Sequence, residues 1–175
     1  MEICKKIVHF CDGLNEWIGS YLVSAAVFIF VGTIFSNVIM RYVFNTSFVF
    51  MAELEWHLFA FVFLIGAGYT LLHDRHVRVD IFYSIMSPKL RAFVNCVGVL
   101  IFLLPSCYLV LNTSIPWVKV AYDIGEVSID PGGIPFRFLL KAVLPIGYFL
   151  VLLQGVSLFL KNVFVLLDRP LDHSS

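Results

Sequence analysis

Charge is scarce in this sequence. Only 14% of its 175 residues are Asp, Glu, Lys or Arg, and the twelve basic and twelve acidic side chains cancel to a formal net charge of +0. So balanced a chain offers no surface for a polyanion, and no basic run alternates with aromatics as a nucleic-acid groove requires. Cysteine is sparse too. Cys4, Cys11, Cys96 and Cys107 lack the paired short spacings of a zinc site and the density of a secreted disulfide framework, so they read as reduced and packed. The sequence also lacks a Gly-x-Ser-x-Gly elbow, a Cys-His pair and a carboxylate dyad within an apolar run, which leaves no reaction centre to build on.

Apolar side chains are what the chain has in quantity: 60% of residues are hydrophobic, 16% aromatic, and the mean hydropathy is +0.92. That is the composition of a membrane protein. Lys5 and Lys6 give the N-terminus a superficial likeness to a signal peptide, but acids interrupt it and no small-residue cleavage site follows, so the segment is expected to stay.

Four uncharged stretches set the spans. Residues 17–40 carry no formal charge, which is about 36 Å of helix at about 1.5 Å per residue against a hydrocarbon core of about 30 Å. Residues 56–72 are uncharged but short, so the second helix is taken to begin near Met51, with Glu53 and Glu55 in its first turns. The uncharged run 92–118 contains Pro105 and Pro116; it predicts a helix over 88–112, opened by Ser87 as N-cap and Pro88 as first residue, with Pro116 marking an exit into extended chain. Residues 142–160 and the apolar NVFVLL after Lys161 give the fourth helix. The expectation is an all-α integral membrane fold with spans near 17–41, 51–73, 88–112 and 136–165, in a single transmembrane domain. Residues 1–15 and 167–175 are read as cytoplasmic tails, and 113–135 as an external loop.

Positive charge resists translocation, and this sets the orientation. With the N-terminus inside, the cytoplasmic segments hold Lys5, Lys6, Arg75, Arg78, Lys89, Arg91, Lys161 and Arg169, while the external ones hold Arg41, Lys119, Arg137 and Lys141. Both termini are therefore expected in the cytoplasm. Trp17, Tyr21, Tyr42, Trp56, Trp117 and Tyr122 fall at span ends, where amphipathic rings prefer the headgroup level.

The densest polar stretch, HDRHVRVD at 73–80, begins where the second span ends. Helical spacing in Val79, Phe82, Ile85 and Met86, with Asp80 as N-cap, predicts a short interfacial helix near 81–86, flanked by basic residues that meet anionic headgroups. The competing reading is a small membrane enzyme or redox subunit using the His73–Asp80 cluster, for instance with His73 and His76 on a metal. No second ligand cluster supports it, and His57 is the only histidine within a predicted span, so no bis-histidine haem site is available. A self-contained channel bundle would need a polar stripe through a span, and none is visible.

Two other groups of charges stand out. Arg41 ends the first span at the depth where Glu53 and Glu55 start the second, so Arg41 either snorkels to the headgroups or pairs with one of those acids. Glu126, Asp130 and Arg137 lie in GEVSIDPGGIPFR, whose Pro-Gly chemistry restricts the loop and makes it a candidate docking surface for a soluble partner.

Together, MRYVFNTSF, ELEWHLFAFVFLIGAGYTLLHDRHVRVD, SPKLRAF, the LLP at 103–105 and EVSIDPGGIP resemble the small, DctQ-type membrane subunit of tripartite ATP-independent periplasmic (TRAP) transporters over residues 15 to 160. The resemblance implies a bacterial inner-membrane complex. In it a large polytopic subunit holds substrate and sodium sites and moves as an elevator, and a periplasmic binding protein delivers the solute, often an organic acid. The small, non-catalytic subunit braces the immobile scaffold and holds no cofactor or metal of its own. Carried onto this chain, Arg41, Tyr42, Glu53, His76, Val77 and Asp80 fall at signature positions; with Glu55 and Arg78 they are expected in structural or interfacial roles. The large subunit is expected as a separate chain.

Overall fold

The computed structural model describes residues 2–73 and 86–167. They form four long helices, each long and apolar enough to cross a membrane: α1 (Glu2–Tyr42), α2 (Val49–Leu72), α3 (Pro88–Asp123) and α4 (Arg137–Leu166). The four-span expectation therefore holds. Residues 74–85 and 168–175, with His76, Val77, Arg78, Asp80 and nearly all of the expected interfacial helix, lie outside the described residues.

Two boundaries differ from the sequence reading. Residues 2–15, within the segment read as a tail, are a helical extension of α1. Their charges suggested solvated chain, but Val8, Cys11, Asn15 and Gly19 recur every three or four residues and are buried, which is the spacing of one helical face. That face packs on α2 and α4. A π-helical stretch, Ile18–Val23, joins this extension to the rest of α1.

The third helix is the second correction. It does not stop at 112 but continues to Asp123, with Pro116 inside it, so the loop shrinks to 124–136. Its buried residues Cys107, Ser114 and Ala121 repeat every seven positions and face α4. A seam of such small residues lets two helices approach closely along their length, and this packing outweighs the hydrogen bond that Pro116 removes. Pro105 follows a π-helical stretch, Val99–Leu103, after which the Leu104 N–H donates to the Val99 carbonyl five residues back. At the start of α3 the Ser87 hydroxyl accepts from the Leu90 N–H at 3.3 Å with Pro88 in the first turn, as the sequence indicated.

α4 is the centre of the bundle and packs against each of the other three helices. Its buried residues are mostly small or amide-bearing: Gly147, Leu150, Gln154, Gly155 and Ser157. A Cβ at Gly147 would meet the Leu64 carbonyl oxygen at 2.6 Å, so only glycine allows α2 to lie this close. The chain enters α4 through Phe136 in the left-handed region, φ 66°, and turns between α1 and α2 at Asn45, φ 49°.

Many outward-facing positions along the helices are large and apolar. Phe28, Phe63 and Phe102 are each at least 67% exposed, which in water would drive aggregation and in a bilayer is ordinary lipid contact. Three of the four free cysteines, Cys11, Cys96 and Cys107, are buried.

Candidate functional site

Most polar side chains that bond from one helix or loop to another lie toward the two ends of the bundle. At the end holding the N-terminus, Asp12 of α1 receives three groups from α4. Its Oδ1 accepts from Gln154 Nε2 at 3.0 Å and from the Ser157 hydroxyl at 2.6 Å, while its Oδ2 lies 2.5 Å from Lys161 Nζ. Asn15, one turn on, donates to Gln154 Oε1 at 3.0 Å and to the Cys11 carbonyl at 3.0 Å. Ser157, Asn15 and Gln154 are at most 2% exposed. Buried polar atoms in hydrocarbon are stable only when hydrogen-bonded, so this network fixes the register of α1 on α4.

One atom of the network is not satisfied. Asn15 Oδ1 is buried without a hydrogen-bond partner and lies against Gly68 of α2, where any Cβ would overlap it. Two further contacts close this end: Asn95 Nδ2 of α3 donates to Asn162 Oδ1 of α4 at 3.1 Å, and His73 Nε2 lies 2.7 Å from Glu16 Oε2 while its ring stacks edgewise on Tyr69. His73, the first residue of the polar octapeptide, thus ties the end of α2 to α1.

At the opposite end, Glu53 of α2 is only 5% exposed. The Ser128 hydroxyl and the Ile134 N–H both donate to its carboxylate, so one side chain holds the loop before α4 at two points. The loop also closes on itself, with the Arg137 N–H donating to the Glu126 carbonyl at 3.1 Å. Lys141 pairs with Glu126 and sits 4.3 Å above the Trp117 ring, while Arg137 lies 5.7 Å over Trp56. His57 Nδ1–H donates to the Glu53 carbonyl at 2.6 Å, leaving its buried Nε2 without a partner.

Of the two readings of Arg41, the ion pair with Glu53 or Glu55 is not formed. Glu53 is held by the loop, Glu55 accepts from Asn37 Nδ2 at 2.6 Å, and Arg41 and Tyr42 are exposed at the end of α1. The α1–α2 hairpin is therefore fastened by an amide from the buried face of α1, a shorter reach than the terminal arginine offers. Of the loop candidates, Glu126 and Arg137 are engaged within the chain, and Asp130 is exposed beside Ile129, which is 91% exposed. Sequence reasoning missed Asp12, Asn15, Gln154, Ser157 and Lys161. The available signal was Gln154, the sole carboxamide in the uncharged run 142–160.

Among the described residues no three His, Cys, Asp or Glu side chains stand close enough to hold a metal ion. What the geometry defines is a polytopic helical membrane protein, with its polar groups used to fasten helices at both rims. Residues 17–164 match the family model described as "Tripartite ATP-independent periplasmic transporters, DctQ component", and the chain belongs to that family, a transporter component and not an enzyme. It is similar to the C4-dicarboxylate TRAP transporter small permease protein DctQ of Vibrio cholerae serotype O1, with 24% identity over 185 residues that cover 94% of this chain and 78% of the relative. A second similarity, 30% over 88 residues, is to the sialic acid TRAP transporter permease protein SiaT of Haemophilus influenzae, covering 50% of this chain and 14% of that much longer protein. No solved structure matches. Membership of the family implies a large permease partner and a periplasmic binding protein.

Proposed function

We propose that this chain is the fixed brace of a sodium-coupled uptake system in a bacterial inner membrane, with both termini in the cytoplasm. It holds a large elevator-type subunit, which carries the substrate and the sodium ions, while a periplasmic binding protein delivers the solute. An organic acid is the favoured solute, since the names of both relatives specify a carboxylate, a C4-dicarboxylate and a sialic acid.

The observation that supports the brace is where the polar groups go. Asp12, Gln154, Ser157 and Lys161 are spent on one another at one rim, and Glu53, Glu126 and Lys141 on the loop at the other. Their partners are internal, so the helices are locked in register and these groups do not converge on a ligand. Long helices held in this way resist displacement when a neighbouring domain moves through the membrane. Arg41 and Tyr42, exposed at the end of α1, and, from the sequence alone, His76, Arg78 and Asp80 are assigned to contacts with the headgroups and the large subunit. Asp130 is assigned to the binding protein.

The test is deletion with complementation. Removing this chain from cells that retain the large subunit and the binding protein should abolish sodium-dependent uptake of the bound organic acid, and the large subunit should co-purify with the restored chain. Uptake that persists without the chain rejects the proposal.

A further inference from the structure

We infer that the face of α3 carrying Tyr108, Asn112 and Pro116 receives a membrane-spanning helix of the large permease subunit, which presents a hydrogen-bonding side chain to Asn112. The inference rests on the proposed role of this chain as that subunit's brace.

Depth is the first observation. Trp117 lies beneath Lys141 at the rim of the bundle, and Asn112 is five residues before it, about 7.5 Å further into the hydrocarbon at about 1.5 Å per residue. Asn112 is exposed, and its carboxamide makes no hydrogen bond to any described residue. Its neighbours behave differently. The Thr113 hydroxyl donates to the Leu109 carbonyl at 2.9 Å and the Ser106 hydroxyl to the Leu103 carbonyl at 2.9 Å, so each turns back onto its own helix.

Pro116 supplies the second observation. It sits inside α3 and has no N–H, so the backbone carbonyl of Asn112, four residues earlier, loses its helical donor. One residue thus carries an exposed carboxamide and an under-used backbone carbonyl. Tyr108, one turn deeper on the same face and 69% exposed, adds a hydroxyl.

Acyl chains cannot satisfy any of these groups, and water is absent at that depth. A protein helix can. Helices in membranes associate through close packing and interhelical hydrogen bonds, and an Asn on an outward face is the kind of group that fastens such a contact. The partner permease implied by the family is the membrane protein that must be held, which favours it over a second copy of this chain.

The experiment uses the full complex. A photo-reactive phenylalanine analogue placed at position 108 or 112 in the chain co-expressed with its large permease should form an adduct with the permease on illumination. Separately, Asn112→Leu should reduce the large permease recovered with the chain by about threefold or more, and Asn112→Gln should largely restore it. Because Asn112 is exposed and its carboxamide makes no hydrogen bond to a described residue, the melting temperature of the isolated Asn112→Leu chain should stay at the wild-type value. Adducts only with lipid or with a second copy, in a complex that still co-purifies, overturn the assignment of this face while leaving the brace intact. Failure of the wild-type pair to co-purify overturns both.

Discussion

Gln154 illustrates how much a single polar side chain decides in this protein. It accepts from Asn15 and donates to Asp12, so it bridges two residues of α1 from the buried face of α4. Gln154→Leu keeps the volume but strips both partners, and should destabilise the purified chain by about 1–3 kcal/mol, read as a lower midpoint in detergent or bicelle unfolding. Lys161→Met should cost more, because the Asp12 carboxylate then keeps its burial and loses its counter-charge. Gly68→Ala drives a methyl into Asn15 Oδ1 and should cost about 1–3 kcal/mol by overpacking, whereas the same change at Gly32, where a Cβ would meet nothing within 4 Å, should be neutral in the isolated chain. None of these pairings was legible in the sequence. Asp12 and Asn15 stand in a charged stretch that resembles a tail, and a linear chain does not show that residue 154 lies opposite them.

The helices themselves were far more legible than their ends. Uncharged runs located all four spans, since a long apolar stretch has few other ways to satisfy its backbone. Helix ends depend on partners, which is why they were harder. α1 extends before Trp17 because Val8, Cys11 and Asn15 are buried on a face that packs on α2 and α4, and α3 passes through Pro116 because Cys107, Ser114 and Ala121 seat it on α4. The loop is a comparable case: its Pro-Gly chemistry was readable, but its attachment to Glu53 was not. That attachment makes a prediction. Glu53→Ala should release residues 126–136, seen as faster amide hydrogen exchange with the largest change at Ile134, whereas Glu55→Ala, which loses only the contact with Asn37, should leave the loop amides as they were.

Seen as a whole, the molecule has polar rims and an apolar girth, with α4 as the spine against which the other helices are held. The orientation proposed for it can be checked directly. In a variant without native cysteines, a cysteine at Asp130 should react with a membrane-impermeant maleimide added to intact cells with a permeable outer membrane, and one at Glu2 should react only after lysis. Family membership and architecture identify a membrane-spanning component of a transporter. The most direct test is sodium-gradient-driven uptake into proteoliposomes containing the large permease, with the solute presented by its binding protein, in the presence and absence of this chain. Uptake that needs the chain, together with no transport by the chain alone, is the expected result; equal uptake without it, or transport by the isolated chain, would contradict the account.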